Sequence, residues 1–121
     1  MVSITKIFYF EAAHKLPSYF GKCKDLHGHS YKLEVTVLRK SLDKDGMVMD
    51  FKTLSRIVNE SILDKYDHAY LNDYFPMPTA ELMAQHIFSF IQDYATNYGV
   101  TVQRVRLWET KDSYAEVTRR E

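Results

Sequence analysis

The sequence predicts an α+β domain in which two helices cover one face of a four-stranded antiparallel sheet. Three observations carry that expectation. The segment HSYKLEVTVLRK, from His29, alternates apolar and polar residues as a half-buried strand does. The segment MDFKTLSRIVNESIL, from Met49, switches to helical spacing. The full order is strand, strand, helix, helix, strand, strand, which segregates the helices instead of interleaving them with strands.

Each element has a local reason. TKIFYFEAAH is rich in aromatic and β-branched residues and gives a first strand over Ile4 to His14. Pro17 and Gly21 punctuate the loop KLPSYFGKCKDLHG. In the second strand Tyr31, Leu33, Val35 and Val37 point one way, and Lys32, Glu34 and Thr36 the other. SLDKDG makes the turn. Asp50 is placed to cap the first helix, whose apolar stripe is Leu54, Ile57, Val58 and Ile62. After the loop DKYDHAYLNDYFPMP, Thr79 caps a second helix, with Glu81 favourable in its first turn. Met83, Ile87, Phe90, Ile91, Tyr94 and Tyr98 are expected on its buried side, and Gly99 ends it. VQRVRLWE and YAEVTR supply the last two strands. Four short strands leave open edges, so association through them is expected.

Composition narrows the function. The chain has 121 residues, enough for one domain and one core. Its 16 basic and 16 acidic residues balance, and no basic stripe is visible, which argues against nucleic acid as a partner. A single cysteine excludes an internal disulfide and fits a reducing compartment. The first sixteen residues lack the pattern of a secretory signal, and no apolar run approaches the roughly 20 residues of a membrane span. A cytoplasmic protein without membrane contact is expected.

The chemistry-bearing residues gather around CKDLHGHSY. His27 and His29 leave an extended backbone on the same face, with Gly28 between them adding no bulk. That face continues into Tyr31 and Leu33. His14 ends the first strand with the parity of Phe8, Phe10 and Ala12, so hairpin pairing brings it to the other two histidines. Neutral imidazoles are common zinc ligands, and three of them leave a fourth position open, as catalytic sites do. Three unrelated histidines satisfied by water or backbone would fit the same letters. Cys23 stands four residues before His27; that spacing allows a fourth ligand, which would close a structural site, or a free thiol beside the ion.

Asp67 and His68 are adjacent in a loop, where a carboxylate can orient an imidazole for proton transfer. Glu109 has the parity of Val105 and Leu107, so its carboxylate faces their apolar side. There it either receives a heterocycle with paired N–H donors or forms an ion pair with Arg104, Arg106 or Lys111. His86 reads as structural, and Trp108 as core or interface.

Taken in order, FEAAHKLP, CKDLHGHSY, MVMDF, YDHAYLN, PTAE and WET resemble the 6-pyruvoyl-tetrahydropterin synthase family over essentially the whole chain. Within it they look most like the 6-carboxy-5,6,7,8-tetrahydropterin synthase branch of queuosine biosynthesis. The resemblance implies a tunnelling fold, ββααββ, whose subunits close a β-barrel and stack as a homohexamer with sites between subunits. It implies a Zn2+ ion on His14, His27 and His29, a catalytic thiol at Cys23, and a second proton-transfer pair in Asp67 and His68. Glu109 matches the acid that anchors the pterin, and Thr79 and Glu81 match a segment lining its pocket. The implied substrate is 7,8-dihydroneopterin triphosphate, with Lys15, Lys22 and Lys24 flanking the site in sequence as cations for the phosphates. Three residues between Cys23 and His27 resemble the carboxy branch, since the biopterin-pathway enzymes tend to a longer gap. Two rival readings remain: pyruvoyl-tetrahydropterin formation on the same scaffold, and a non-catalytic domain with a closed structural zinc site.

Overall fold

One unbroken antiparallel ladder organises the chain. In the computed structural model, which describes residues 1–16 and 25–120, β1 (Val2–His14) pairs with β2 (His27–Arg39) over all thirteen positions. The register runs from Val2 opposite Arg39 to His14 opposite His27, without a bulge. Alternation along it sends Phe8, Phe10, Ala12 and His14 to the same side as Tyr31, Leu33, Val35 and Val37, all of them buried.

β2 also pairs with β4 (Thr101–Thr110), and β4 with β5 (Ser113–Thr118), both antiparallel. A short β3 (Ala69–Tyr70) adds to the far edge of β1 in parallel, giving the order β3-β1-β2-β4-β5. The sheet therefore has five strands and is mixed, where the sequence predicts four antiparallel ones. Two residues are too few to carry an alternation signal, and the pairing of β3 depends on tertiary contacts with β1.

The helices cover the apolar face. Asp50 caps α1 (Phe51–Val58) by accepting the Lys52 amide at 2.7 Å. The segment then runs through a π turn, Asn59–Leu63, into α2 (Asp64–Tyr66). The Ser61 hydroxyl donates to the Ile57 carbonyl at 2.6 Å, satisfying an acceptor where the backbone ladder widens. Leu54, Ile57, Val58, Ile62 and Tyr66 stay buried along the whole segment.

Thr79 caps α3 (Ala80–Ala95), its hydroxyl accepting the Leu82 amide at 3.2 Å. The buried stripe of α3 is Ala80, Met83, Ala84, Ile87, Ile91 and Ala95. Tyr94 and Tyr98 lie outside it, each 41 % exposed, contrary to the sequence expectation; small Ala95 takes the place against the sheet. Tyr98 instead accepts a hydrogen bond from Arg56 at 2.9 Å. Gly99 ends the segment in the left-handed region at φ 71°, as a terminating glycine does. Gln92 ties α3 to the sheet, its carbonyl oxygen accepting from the Val102 amide at 2.8 Å and from Arg119 at 2.6 Å. Trp108 faces away from the helices, its indole N–H donating to Glu34 at 2.5 Å.

The cap at Thr79 follows directly on Pro78, whose carbonyl reaches His14. Thr79→Ala removes one acceptor from the helix start, and a loss of about 1 kcal/mol is expected in denaturant unfolding.

Candidate active site

The β1–β2 register places His14 directly opposite His27, and His29 opposite Ala12 two residues along. All three rings face the helix side of the sheet. Their centroids lie 4.5 Å (His14–His27), 5.0 Å (His14–His29) and 4.8 Å (His27–His29) apart, with one ligand-capable atom from each within 4.8 Å of the others. His14 is fully buried and the other two are partly so.

Hydrogen bonds behind the rings fix which nitrogen faces forward. His14 Nδ1 lies 2.9 Å from the Pro78 carbonyl, and His27 Nδ1 lies 2.7 Å from the Asp25 carbonyl. A carbonyl only accepts, so each Nδ1 carries the proton and each Nε2 presents a lone pair. Those two Nε2 atoms stand 2.9 Å apart. Facing lone pairs repel, and a cation between them relieves the repulsion. His29 Nε2 is buried and makes no well-aligned hydrogen bond among the described residues, with the Glu109 carboxylate 3.3 Å away. Three converging imidazoles, two of them with their lone pairs fixed, are a donor set that fits a metal ion.

The electrostatics agree. Burial pushes the His14 and His29 imidazoles below the ordinary value of 6.5, against smaller opposing effects that include the Glu109 carboxylate. Both are therefore kept neutral, the form that coordinates metal. Tyr31 is fully buried with its hydroxyl 3.3 Å from His14 Nδ1, and burial drives its pKa up, so it stays protonated.

Glu109 sits where the β4–β5 register slips between Trp108 and Thr110. The irregularity frees it from the ladder and aims its carboxylate at His29, Oε1 to Nε2 at 3.3 Å. Of the basic residues proposed as its ion-pair partners, Arg104 and Arg106 pair with Glu116 instead. Glu109 lines two recesses. One, of about 530 Å3, includes His29, Trp108 and Lys111; the other, of about 360 Å3, includes Glu81 and Tyr114. Glu81 is exposed there, whereas Thr79 spends its hydroxyl on the helix cap.

Asp67 and His68 form their pair, Oδ1 to Nδ1 at 3.1 Å, at the outer edge of β1. Asp67 also accepts the Glu11 amide at 3.0 Å, and the His68 amide donates to the Glu11 carbonyl at 2.5 Å. His68 takes a positive φ of 62°, which turns its ring off the strand; its side chain is 79 % exposed. The pair is exposed and bonds to Glu11 and, through the Asp67 amide, to the Leu63 carbonyl, and His68 shares a recess of about 370 Å3 with His29. Cys23, Lys22 and Lys24 lie outside the described residues. Lys15 is exposed, with its amide donating to Asn72.

Sequence reasoning missed the Pro78 and Asp25 carbonyls, because backbone acceptors leave no residue-type signal. It also missed Tyr31, which reads only as one more apolar position.

The fold and this cluster define an α+β protein, helices over one face of a mixed sheet, with a three-histidine pocket suited to a metal. The profile of the 6-pyruvoyl tetrahydropterin synthase family matches residues 3–120. The chain is 37 % identical over 141 aligned positions to the 6-carboxy-5,6,7,8-tetrahydropterin synthase of Haemophilus influenzae, covering 96 % of this chain and 98 % of that one. It is 42 % identical over 96 positions to the enzyme of the same name from Synechocystis, covering 74 % of each. The solved 6-pyruvoyl tetrahydropterin synthase of Caenorhabditis elegans superposes with a TM-score of 0.85 at 27 % identity, covering 98 % of this chain and 96 % of that one. The chain belongs to the 6-pyruvoyl tetrahydropterin synthase family. No helix among the described residues is long and apolar enough to cross a membrane.

A pH dependence follows. His14 and His29 bind protons less readily folded than unfolded, so stability is full above about pH 6.5 and falls as pH drops toward the depressed folded values. Thermal melts of metal-stripped protein should give a lower midpoint at about pH 5.5 than at about pH 7.5. A midpoint that holds or rises on acidification contradicts the assignment.

Proposed function

We propose that this protein is a zinc-dependent lyase that converts 7,8-dihydroneopterin triphosphate and water to 6-carboxy-5,6,7,8-tetrahydropterin, acetaldehyde and triphosphate, in queuosine biosynthesis. The observation that carries this reading is the trio of imidazoles with Glu109 beside it, in a chain similar over most of its length to proteins of that name. His14, His27 and His29 would hold the ion. Zinc bound there supplies a Lewis acid to the substrate's side-chain hydroxyls. Glu109 offers two acceptor oxygens to the paired N–H donors of a pterin and fixes the heterocycle against His29. The adjoining recess of about 530 Å3 is of a size that suits such a ligand.

Cys23 serves as the thiol that moves protons at the substrate side chain, and the Asp67–His68 pair as the second acid–base couple. The outward position of that couple on the β1 edge fits a homohexamer, a dimer of trimers, in which one subunit's pair completes a neighbour's site. Glu81 contributes to the pterin pocket through the recess it shares with Glu109. Thr79 shapes that segment by capping α3.

The likeness to a solved 6-pyruvoyl tetrahydropterin synthase favours one second reading, elimination of triphosphate with the side chain retained. Anaerobic incubation of the zinc-loaded protein with dihydroneopterin triphosphate, with products identified by mass, separates the two. Acetaldehyde with the carboxy-pterin is the expected outcome. Triphosphate release without acetaldehyde transfers the assignment to the pyruvoyl reaction, and no turnover removes both.

Cys23→Ala should keep full metal content and an unchanged melting temperature while turnover falls roughly 100-fold or more. Loss of zinc and a lower melting temperature would instead make Cys23 a ligand of a closed structural site.

A further inference from the structure

The ends of the β1–β2 hairpin ladder are chemically opposite. His14 and His27 close one end, and Val2 pairs with Arg39 at the other. Thirteen residues of strand separate them, roughly 40 Å at about 3.3 Å per residue. At the far end lies a second recess, about 660 Å3 in volume, whose lining includes Arg39, Lys40, Arg119 and Arg120 together with the polar Ser41 and Thr101. Among the described residues no aspartate or glutamate lines it.

Two features separate this recess from an ordinary basic surface. The chain is neutral overall, with 16 residues of each sign, so four cations around one concavity are a local excess. Among the described residues none of the four forms an ion pair with a carboxylate; Arg104 and Arg106 absorb Glu116 on the other face. Asp43, which feels the charge of Arg39, is committed to the Met47 and Asp45 amides of its own turn.

Arg119 and Arg39 are also held in place. Arg119 donates through Nε to the Val102 carbonyl at 2.9 Å and through Nη2 to Gln92 at 2.6 Å, with its guanidinium over the Phe88 ring. Arg39 donates through Nε to the Ser41 carbonyl at 3.0 Å. Each keeps terminal N–H groups uncommitted to these bonds, anchored by partners that carry no charge. With Nε committed to the protein, the Nη edge of each guanidinium is what can match two oxygens of one phosphate, and an oligophosphate offers several such groups to a recess lined by four cations.

We propose that this recess is a second ligand site, distinct from the three-histidine pocket of its own subunit, that binds an oligophosphate of the triphosphate class. The length of β1 excludes it as the phosphate subsite of a pterin bound at its own subunit's histidines. The site does not depend on the proposed reaction, and its test reads binding and position instead of turnover.

Isothermal titration of the full zinc-loaded chain with inorganic triphosphate, ATP and inorganic phosphate, in wild type and R39A/K40A, measures the affinity. Hydrogen-exchange mass spectrometry reports the place. Triphosphate should protect the peptides spanning residues 38–41 and 99–103. In R39A/K40A that protection should vanish and this class of binding should weaken about tenfold or more, with an unchanged melting temperature. Equal affinity for triphosphate and ATP assigns recognition to the phosphate chain alone; tighter ATP adds the nucleoside. The proposal is overturned if the variant binds as wild type does. It is also overturned if inorganic phosphate binds as tightly as triphosphate, or if protection appears only on peptides carrying the histidines.

Discussion

The constraint on which the rest of this molecule depends is the convergence of three imidazole rings at one end of a hairpin. The Pro78 and Asp25 carbonyls each claim an Nδ1 proton, and the β1–β2 register sets the two Nε2 atoms 2.9 Å apart. Lone pairs so close stay aligned only when the surrounding structure enforces it. Here the enforcement is the unbroken thirteen-pair ladder on one side and the capped start of α3 on the other. The core beneath the sheet serves the same purpose: Phe10 and Tyr31 stack at 4.9 Å between centroids and hold the two strands' inward faces in step. Metal affinity and fold are thus one problem, because any slip of register by a residue would send His27 and His29 to the opposite face.

Much of this was legible in the sequence because it depends on parity. His14 shares its face with Phe8 and Phe10, and His27 and His29 share theirs with Tyr31 and Leu33, so a hairpin sufficed to converge the three rings. The N-caps at Asp50 and Thr79 and the terminating Gly99 were readable for a similar reason, since each position asks for one residue type. Glu109 was half legible. Parity gave its face and sent Arg104 and Arg106 to the other, but the slipped β4–β5 register beside it left no sign in the sequence.

What stayed hidden depends on contacts distant in sequence. A two-residue β3 has no periodicity of its own, and it forms because Glu11 exchanges hydrogen bonds with the Asp67–His68 segment beside it. Tyr94 and Tyr98 have the spacing of a buried stripe, but Ala95 takes the buried position and both tyrosines stay exposed. The basic recess was also hidden. Its four cations are scattered over 82 positions of sequence, at residues 39, 40, 119 and 120, so no local run of charge announces them.

The π turn at Asn59–Leu63 is where the chain carries one residue more than a regular helix needs. Each residue of an α-helix advances the rotation by about 100°, and the widened turn absorbs the surplus residue, so the segments on either side keep one phase. Leu54 and Ile57 before it and Tyr66 after it are buried together for that reason. Losing one residue inside the turn would leave a regular helix with those contacts in place, whereas losing one within α1 would rotate Leu54 and Ile57 away from the side that Tyr66 occupies. Tolerance to a change of length is therefore concentrated in five residues of this segment.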